Sequence, residues 1–269
     1  PSKDNEKNIA ILKTKLAARF DETNFRLERE QLYSTLFKKR LFILSGSPGT
    51  GKSFELLRFV DALTHSGEKY TLLAPTGKAS LRLKNNTDGF ENVKAQTIDS
   101  FIVQQETVKL TPVAVENLII DEMSMVDLTK FSRLLQLFDF SSPSFKRLVL
   151  VGDPNQLPPI GYGKVFQDIT DFILDNSENY QGNHISLSTN CRVETDDEIL
   201  QFARIFSGEN KNYEEFFSKI ITSNKITDNF AILYWQSKEE LFSKILARFH
   251  HLYDHDLTSS QVSNLLDHV

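Results

Sequence analysis

Leu41-Phe-Ile-Leu44 passes directly into Ser45-Gly-Ser-Pro-Gly-Thr-Gly-Lys-Ser53, and this stretch decides the fold. Four apolar residues without polar alternation mark a strand buried on both faces, as in a parallel sheet covered by helices. The loop that follows matches the pattern G-x-x-x-x-G-K-[ST] in full, from Gly46 to Ser53. Its glycines let the backbone turn until successive N–H groups point at phosphate oxygens. A helix beginning near Lys52 adds the positive end of its dipole. Lys52 supplies a cation to the β- and γ-phosphates, and the Ser53 hydroxyl can ligate Mg²⁺. Gly46, Pro48, Gly49, Thr50, Gly51, Lys52 and Ser53 are therefore the expected nucleotide-binding positions. ATP and Mg²⁺ are the expected cofactors.

Three more apolar runs end in loops of special residues. Tyr70-Thr-Leu-Leu73 runs into Ala74-Pro-Thr-Gly77, Asn117-Leu-Ile-Ile120 into Asp121-Glu122, and Arg147-Leu-Val-Leu-Val151 into Gly152-Asp-Pro154. In parallel sheets the ligand site forms beyond the carboxyl ends of the strands, so all four loops are expected to gather around one site. Asp121 would hold Mg²⁺ directly or through water, and Glu122 would orient and deprotonate the attacking water. Gln156, in the loop after the Arg147–Val151 run, is placed to touch a γ-phosphate and register its loss. The expected class is α/β: a parallel sheet with helices on both faces and a P-loop.

The rest of the composition narrows the setting. The chain has 269 residues, with 31 Lys and Arg against 36 Asp and Glu, hence a formal charge of −5. That balance argues against a basic nucleic-acid coat or a polybasic membrane anchor, though not against a local basic groove. A 40% hydrophobic and 25% charged content is that of a folded domain rather than a disordered chain. The single cysteine, Cys191, cannot form an internal disulfide, which suits a reducing compartment. The apolar runs fall far short of the roughly 18 residues of a membrane span. The N-terminus is polar rather than a signal peptide's apolar core. A soluble cytoplasmic protein is expected. Residues 1–40 carry ten basic and six acidic residues, and Ile9, Leu12, Leu16 and Phe20, then Leu32 and Leu36, fall on helical faces. From 194 onward seven basic residues face thirteen acidic ones, with helices expected over 196–207 and 238–252 and a strand over 230–235.

Beyond the phosphate loop, the wording of several motifs resembles superfamily 1 helicases. Ala74-Pro-Thr-Gly-Lys-Ala79 is similar to motif Ia, Asp121-Glu-Met-Ser-Met-Val126 to motif II, Gly152-Asp-Pro-Asn-Gln156 to motif III and Leu187-Ser-Thr-Asn-Cys-Arg192 to motif IV. The resemblance covers roughly residues 30–205 and is strongest to the RecD-like branch of DNA helicases. It implies a RecA-like motor domain over 41–184, preceded by a helical extension (1–40) and followed by the start of a second RecA-like domain (185–269). It implies that Lys52, Glu122, Gln156 and Arg192 act in catalysis, with Gln156 coupling the γ-phosphate to DNA and Arg192 serving as an arginine finger. Pro75, Thr76, Lys78 and Thr97 would contact single-stranded DNA. Phosphate contacts of that kind are independent of sequence and weaken with salt. Asp99 stands where that branch usually has a histidine. Gln31 precedes the first strand at about the spacing of an adenine-contacting glutamine, with a solvated helix glutamine as the alternative.

Two further family motifs, a Q-G-rich DNA-binding element and a late arginine-bearing ATP element, are missing after residue 205. The resemblance therefore suggests a fragment of a longer helicase or a degenerate relative. The implied activity is an ATP-dependent helicase or translocase moving 5′→3′ on single-stranded DNA, with duplex ahead of it and nuclease or helicase subunits as possible partners. An RNA-directed superfamily 1 helicase and a nucleotide-gated interaction module without motor activity are the alternatives. Thr107–Leu110 and Val113–Val115 around Thr111-Pro112 read either as a plain surface connection or as a small hairpin resembling the family's strand-separating pin.

Overall fold

The computed structural model describes residues 23–85, 93–108, 112–189, Cys191, Ser218 and 234–253. The four apolar runs are strands. With two short additions they make β1 (Leu41–Gly46), β2 (Tyr70–Ala74), β3 (Ala95–Thr97), β4 (Asn117–Ile120), β5 (Arg147–Val151) and β6 (His184–Leu187). All pair in parallel, in the order β3-β2-β4-β5-β1-β6. Among the described residues the outer strands β3 and β6 have three and four residues, so each presents only a short edge.

Because side chains alternate across a strand, each apolar run feeds two cores. Phe42, Leu44, Leu72, Ile119, Val149 and Val151 face α1 (Thr23–Leu36) and α2 (Lys52–His65), packing on Leu32, Leu36, Leu56, Phe59 and Val60. Ile43, Leu73, Leu118, Ile120 and Leu150 face the opposite layer. That layer is built by α4 (Ile98–Val108), α5 (Leu128–Leu135) and α6 (Val165–Asp175), through Ile98, Phe101, Phe131, Leu134 and Phe166. Each such side chain taken fully from water contributes about 1.5–3 kcal/mol. α3 (Gly77–Asn85) follows β2 and buries Leu83 in the first core. The doubly covered parallel sheet is the α/β architecture expected from the sequence.

At the amino ends of β4 and β5 a buried polar cluster replaces hydrocarbon. The Arg147 guanidinium donates to Glu68 at 2.8 Å and to the Asn117 side-chain amide oxygen, while the Asn117 amide nitrogen donates to Glu68 at 3.1 Å. Burial pushes the Glu68 carboxyl up, but Arg147, Asn117 and Lys146 outweigh it and hold the group below its ordinary value.

Several expectations fall elsewhere. Thr107 and Val108 finish α4, and Val113 bridges to Phe138 instead of Thr107–Leu110. Its N–H reaches the Leu137 carbonyl at 2.7 Å, so the described part of the candidate hairpin is a helix end and a separate bridge. Residues 109–111 lie outside the described residues, as do 1–22, the helix expected over 196–207 and Arg192. Of the strand expected over 230–235 only Tyr234 and Trp235 are described, and they form no strand. The chain divides into compact units at 1–194 and 195–269, and the expected boundary at 184/185 falls inside β6. In the second unit α7 (Lys238–Tyr253) carries a Glu240–Lys244 ion pair one turn apart at 2.6 Å.

Candidate nucleotide site

β1 ends at Gly46, where the chain comes too close to β6 for any side chain. A Cβ there would stand 2.5 Å from the Leu187 carbonyl and 2.8 Å from Thr50 Oγ1. The loop closes on itself through Thr50 Oγ1, which donates to the Ser47 carbonyl at 2.8 Å. At Gly51 the backbone is left-handed, with φ 86°. That turn starts α2 without a side-chain cap, and a helix start of this kind suits an anion. Lys52 bends back over the loop, its Nζ donating to the Gly46 carbonyl and, at 3.0 Å, to that of Ser47. Burial lowers its pKa, partly countered by Asp153, Glu122 and Asp121.

Asp121 stands two strands away, at the end of β4, yet the sheet order returns it to the loop. Its backbone N–H bonds the Leu73 carbonyl at 2.9 Å, and its carboxylate accepts from Ser53 Oγ at 3.3 Å. Burial first, and then the charge of Glu122, push its carboxyl up to about 6. Glu122 follows at φ 51°, the only non-glycine with positive φ among the described residues. Backbone of that kind persists only where surrounding structure enforces it, and it collects at functional sites. Gln156 is half-buried and shares a cavity of about 110 Å³ with Ser124, Lys164 and Phe166. It follows Asp153, whose buried carboxylate accepts from the Asn155 N–H at 2.9 Å.

Pro75, Thr76 and Lys78 lie where β2 runs into α3, and Thr97 where β3 runs into α4. Ala74 and Thr97 are in register on neighbouring strands, so the two helix starts are side by side. Both threonines serve as caps: Thr76 Oγ1 accepts from the Ala79 N–H at 3.2 Å, and Thr97 Oγ1 from that of Ser100 at 3.1 Å. Lys78 is exposed, while Asp99 pairs with Lys130 at 2.9 Å. Gln31 is exposed on α1, two residues and hence about 200° round the helix from the face described next.

That face carries Arg29, which the motifs gave no reason to single out. Fully buried, it donates to the Thr50 carbonyl of the phosphate loop at 2.5 Å, to Glu55 of α2 at 3.3 Å and to Glu28 at 2.7 Å. Tyr33 donates to the same Glu55. Burial and then Glu55 push the Tyr33 phenol far above its ordinary value, so it stays a donor. Glu28 accepts from the Ser188 hydroxyl and N–H, and Cys191 N–H bonds the Gly49 carbonyl at 2.8 Å. Helix α1, the phosphate loop and the chain after β6 are thus tied together. Arg82 of α3 is the second residue missed: it stands 3.8 Å from Glu122 and 3.5 Å from Ser53 Oγ. Arg29 shares a helical face with Phe25, Leu32 and Leu36, a position that periodicity alone does not separate from a solvated one, and Arg82 had no signal in the sequence.

Among the described residues no helix is long and apolar enough to cross a membrane. Residues 28–214 match a family model described as AAA domain. The ATP-dependent RecD2 DNA helicase of Deinococcus radiodurans is 33% identical over 51% of this chain and 18% of its own length. The RecBCD enzyme subunit RecD of Haemophilus influenzae is 27% identical over 68% of this chain and 34% of its own length. A Bacteroides Pif1 solved with ADP-AlF4 aligns at 20% identity over 86% of this chain and 56% of its own, with a TM-score of 0.44. The chain spans about a third or less of these two curated relatives. With its motifs gathered on a doubly covered parallel sheet, the chain belongs to the AAA domain family, on its RecD-like branch.

Proposed function

We propose that this chain is the nucleotide-binding part of an ATP-dependent DNA helicase that couples hydrolysis to 5′→3′ movement along single-stranded DNA, as part of a longer motor. The observation that carries the reading is what gathers at the carboxyl ends of the strands. Lys52, Ser53, Asp121 and Glu122 meet there, and two capped helix starts bearing Thr76, Lys78 and Thr97 stand side by side. The direction of travel is carried over from the resemblance alone.

The residues fit Mg²⁺. Asp121 and Ser53 are hard oxygen donors 3.3 Å apart beside a phosphate loop. No cluster of three or more His, Cys, Asp or Glu forms a metal cage among the described residues. That suits Mg²⁺, which uses one or two protein oxygens and takes the rest from phosphates and water. Bound there, the ion would neutralise charge developing on the β- and γ-phosphate oxygens. Lys52 turns from its loop carbonyls to the phosphates. Glu122 orients a water and takes its proton. Gln156 reports the loss of the γ-phosphate toward the DNA edge. Arg192, next after the Cys191 that is pinned to Gly49, is proposed as the arginine finger. The helix dipoles behind Thr76 and Thr97, with Lys78, would hold backbone phosphates of the DNA strand. A soluble protein working with nuclease or helicase partner subunits is the setting this reading implies.

The test is steady-state ATP hydrolysis by the full chain with and without a single-stranded oligonucleotide, with Lys52→Ala as the inactive control. Stimulation by DNA supports the reading. Hydrolysis indifferent to DNA overturns it, and stronger stimulation by an RNA of equal length redirects it to an RNA-directed relative. Nucleotide binding without turnover, unchanged in Glu122→Gln, identifies an interaction module instead.

A further inference from the structure

Arg82 has no part in the function above, yet it occupies the space between that function's two halves. It sits one turn after Lys78 on α3, and residues four apart share a helix face. Helical side chains lean toward the N-terminus. The guanidinium therefore leans back toward the strand ends, where it meets Glu122 Oε1 at 3.8 Å and donates to Ser53 Oγ at 3.5 Å. Helix α3 thus presents one cation, Lys78, to the surface proposed for DNA and a second to the carboxylate proposed as the base. Glu122 is held at φ 51° with its side chain about a fifth exposed. Its carboxylate stands beside that guanidinium.

Two ligands disturb this contact in the same sense. Ser53 and Asp121 would hold Mg²⁺, and Ser53 Oγ, committed to that ion, would no longer be there for Arg82 to donate to. A DNA phosphate at the start of α3 attracts the same guanidinium, which is about half exposed and free to swing along the helix. Both ligands bind better when Arg82 has left Glu122, and ligands that prefer the same conformer reinforce each other.

We propose that Arg82 is a positioning residue that restrains Glu122 in the absence of nucleic acid and releases it when single-stranded DNA engages α3. The inference rests on the reading of α3 as a DNA contact. It makes the restraint a property of this one ion pair.

The experiment measures ATP turnover by the full chain with and without a single-stranded oligonucleotide, for wild type, Arg82→Gln and Arg82→Lys. Arg82→Gln is expected to raise DNA-free turnover at least about fivefold, the lower end of typical coupling between sites. The DNA-saturated kcat should change little, so the stimulation ratio collapses, while Arg82→Lys regains part of it. A merely structural role would lower both rates together and the melting temperature with them. The restraint is overturned if wild type responds to DNA and Arg82→Gln keeps the same ratio, or if DNA-free turnover falls. A wild type indifferent to DNA, beside a faster Arg82→Gln, keeps the restraint on Glu122 but overturns its release by DNA together with the motor reading.

Discussion

Replacing Arg29 with methionine tests the tie between α1 and the phosphate loop. Methionine keeps an unbranched stem against Phe25, whose ring centroid lies 4.2 Å from the guanidinium carbon. What goes is the charge and its donors to Thr50, Glu55 and Glu28. Removing one partner of a buried ion pair costs roughly 3–5 kcal/mol, chiefly because the other charge is stranded. Here Glu55 keeps the Tyr33 hydroxyl and Arg58 at 3.9 Å, and Glu28 is exposed enough to rehydrate. The lower end, about 3 kcal/mol, is therefore expected. For a unit spanning residues 1–194 that corresponds to a fall of about 6–12 °C in Tm. Thermal and urea unfolding followed by circular dichroism measure it. Adding Glu55→Gln removes the stranded charge and should return roughly 1–3 kcal/mol. KM for ATP should rise as well, because the Thr50 carbonyl loses its fixed donor. A cost below about 1 kcal/mol, or a double variant as damaged as the sum of the singles, would show that the guanidinium carries no such burden.

Glu122→Gln should bind nucleotide as wild type does and lose at least about a hundredfold in turnover, the scale of a general base. Persistent turnover in a single-turnover assay would place the base elsewhere. Gly46→Ala drives a methyl into the Leu187 carbonyl, which β6 cannot withdraw while paired with β1. A loss of about 1–3 kcal/mol in urea unfolding, with weakened nucleotide binding by fluorescence titration, is expected. Glu68→Gln should cost about 2 kcal/mol at neutral pH, as the carboxylate's bonds to Arg147 and Asn117 weaken. Since the folded pKa is depressed, that advantage is full above the ordinary glutamate value near about 4.3. It fades as pH falls through the folded value, so urea midpoints of wild type and variant should converge in acid. A constant gap across pH would refute it.

The strands and the loops between Gly46 and Gln156 were legible because each apolar run is long enough to show burial on both faces and each ends in residues with specific chemistry. Their convergence was legible too, since parallel strands deliver their carboxyl ends to one edge. Two strands were hidden for physical reasons. Ala95–Thr97 has three residues and no apolar run, and His184–Leu187 alternates polar and apolar. The pin-like hairpin failed because Val113 found a better partner in Phe138, twenty-five residues on, than in its sequence neighbours. Arg29 and Arg82 were invisible because their meaning lies in contacts to Thr50 and Glu122, across 21 and 40 residues. Helical periodicity reads a lone arginine as a solvated position, and only packing shows that Arg29 is sealed.

The strand order also sets a timetable for synthesis. β1 is among the first strands to be made, yet Leu41 pairs with Leu148 and Ile43 with His184. Closing loops of that length costs chain entropy before any contact rewards it. As the chain grows, β2 and β4 can pair once residue 120 exists. The run Leu41–Leu44, with the phosphate loop at its end, has neither edge covered until β5 and β6 arrive. Nucleotide therefore cannot help the early chain to fold, because its binding loop is among the last parts to gain a floor. A nascent chain stopped before residue 147 would carry the complete phosphate-loop sequence and bind no ATP.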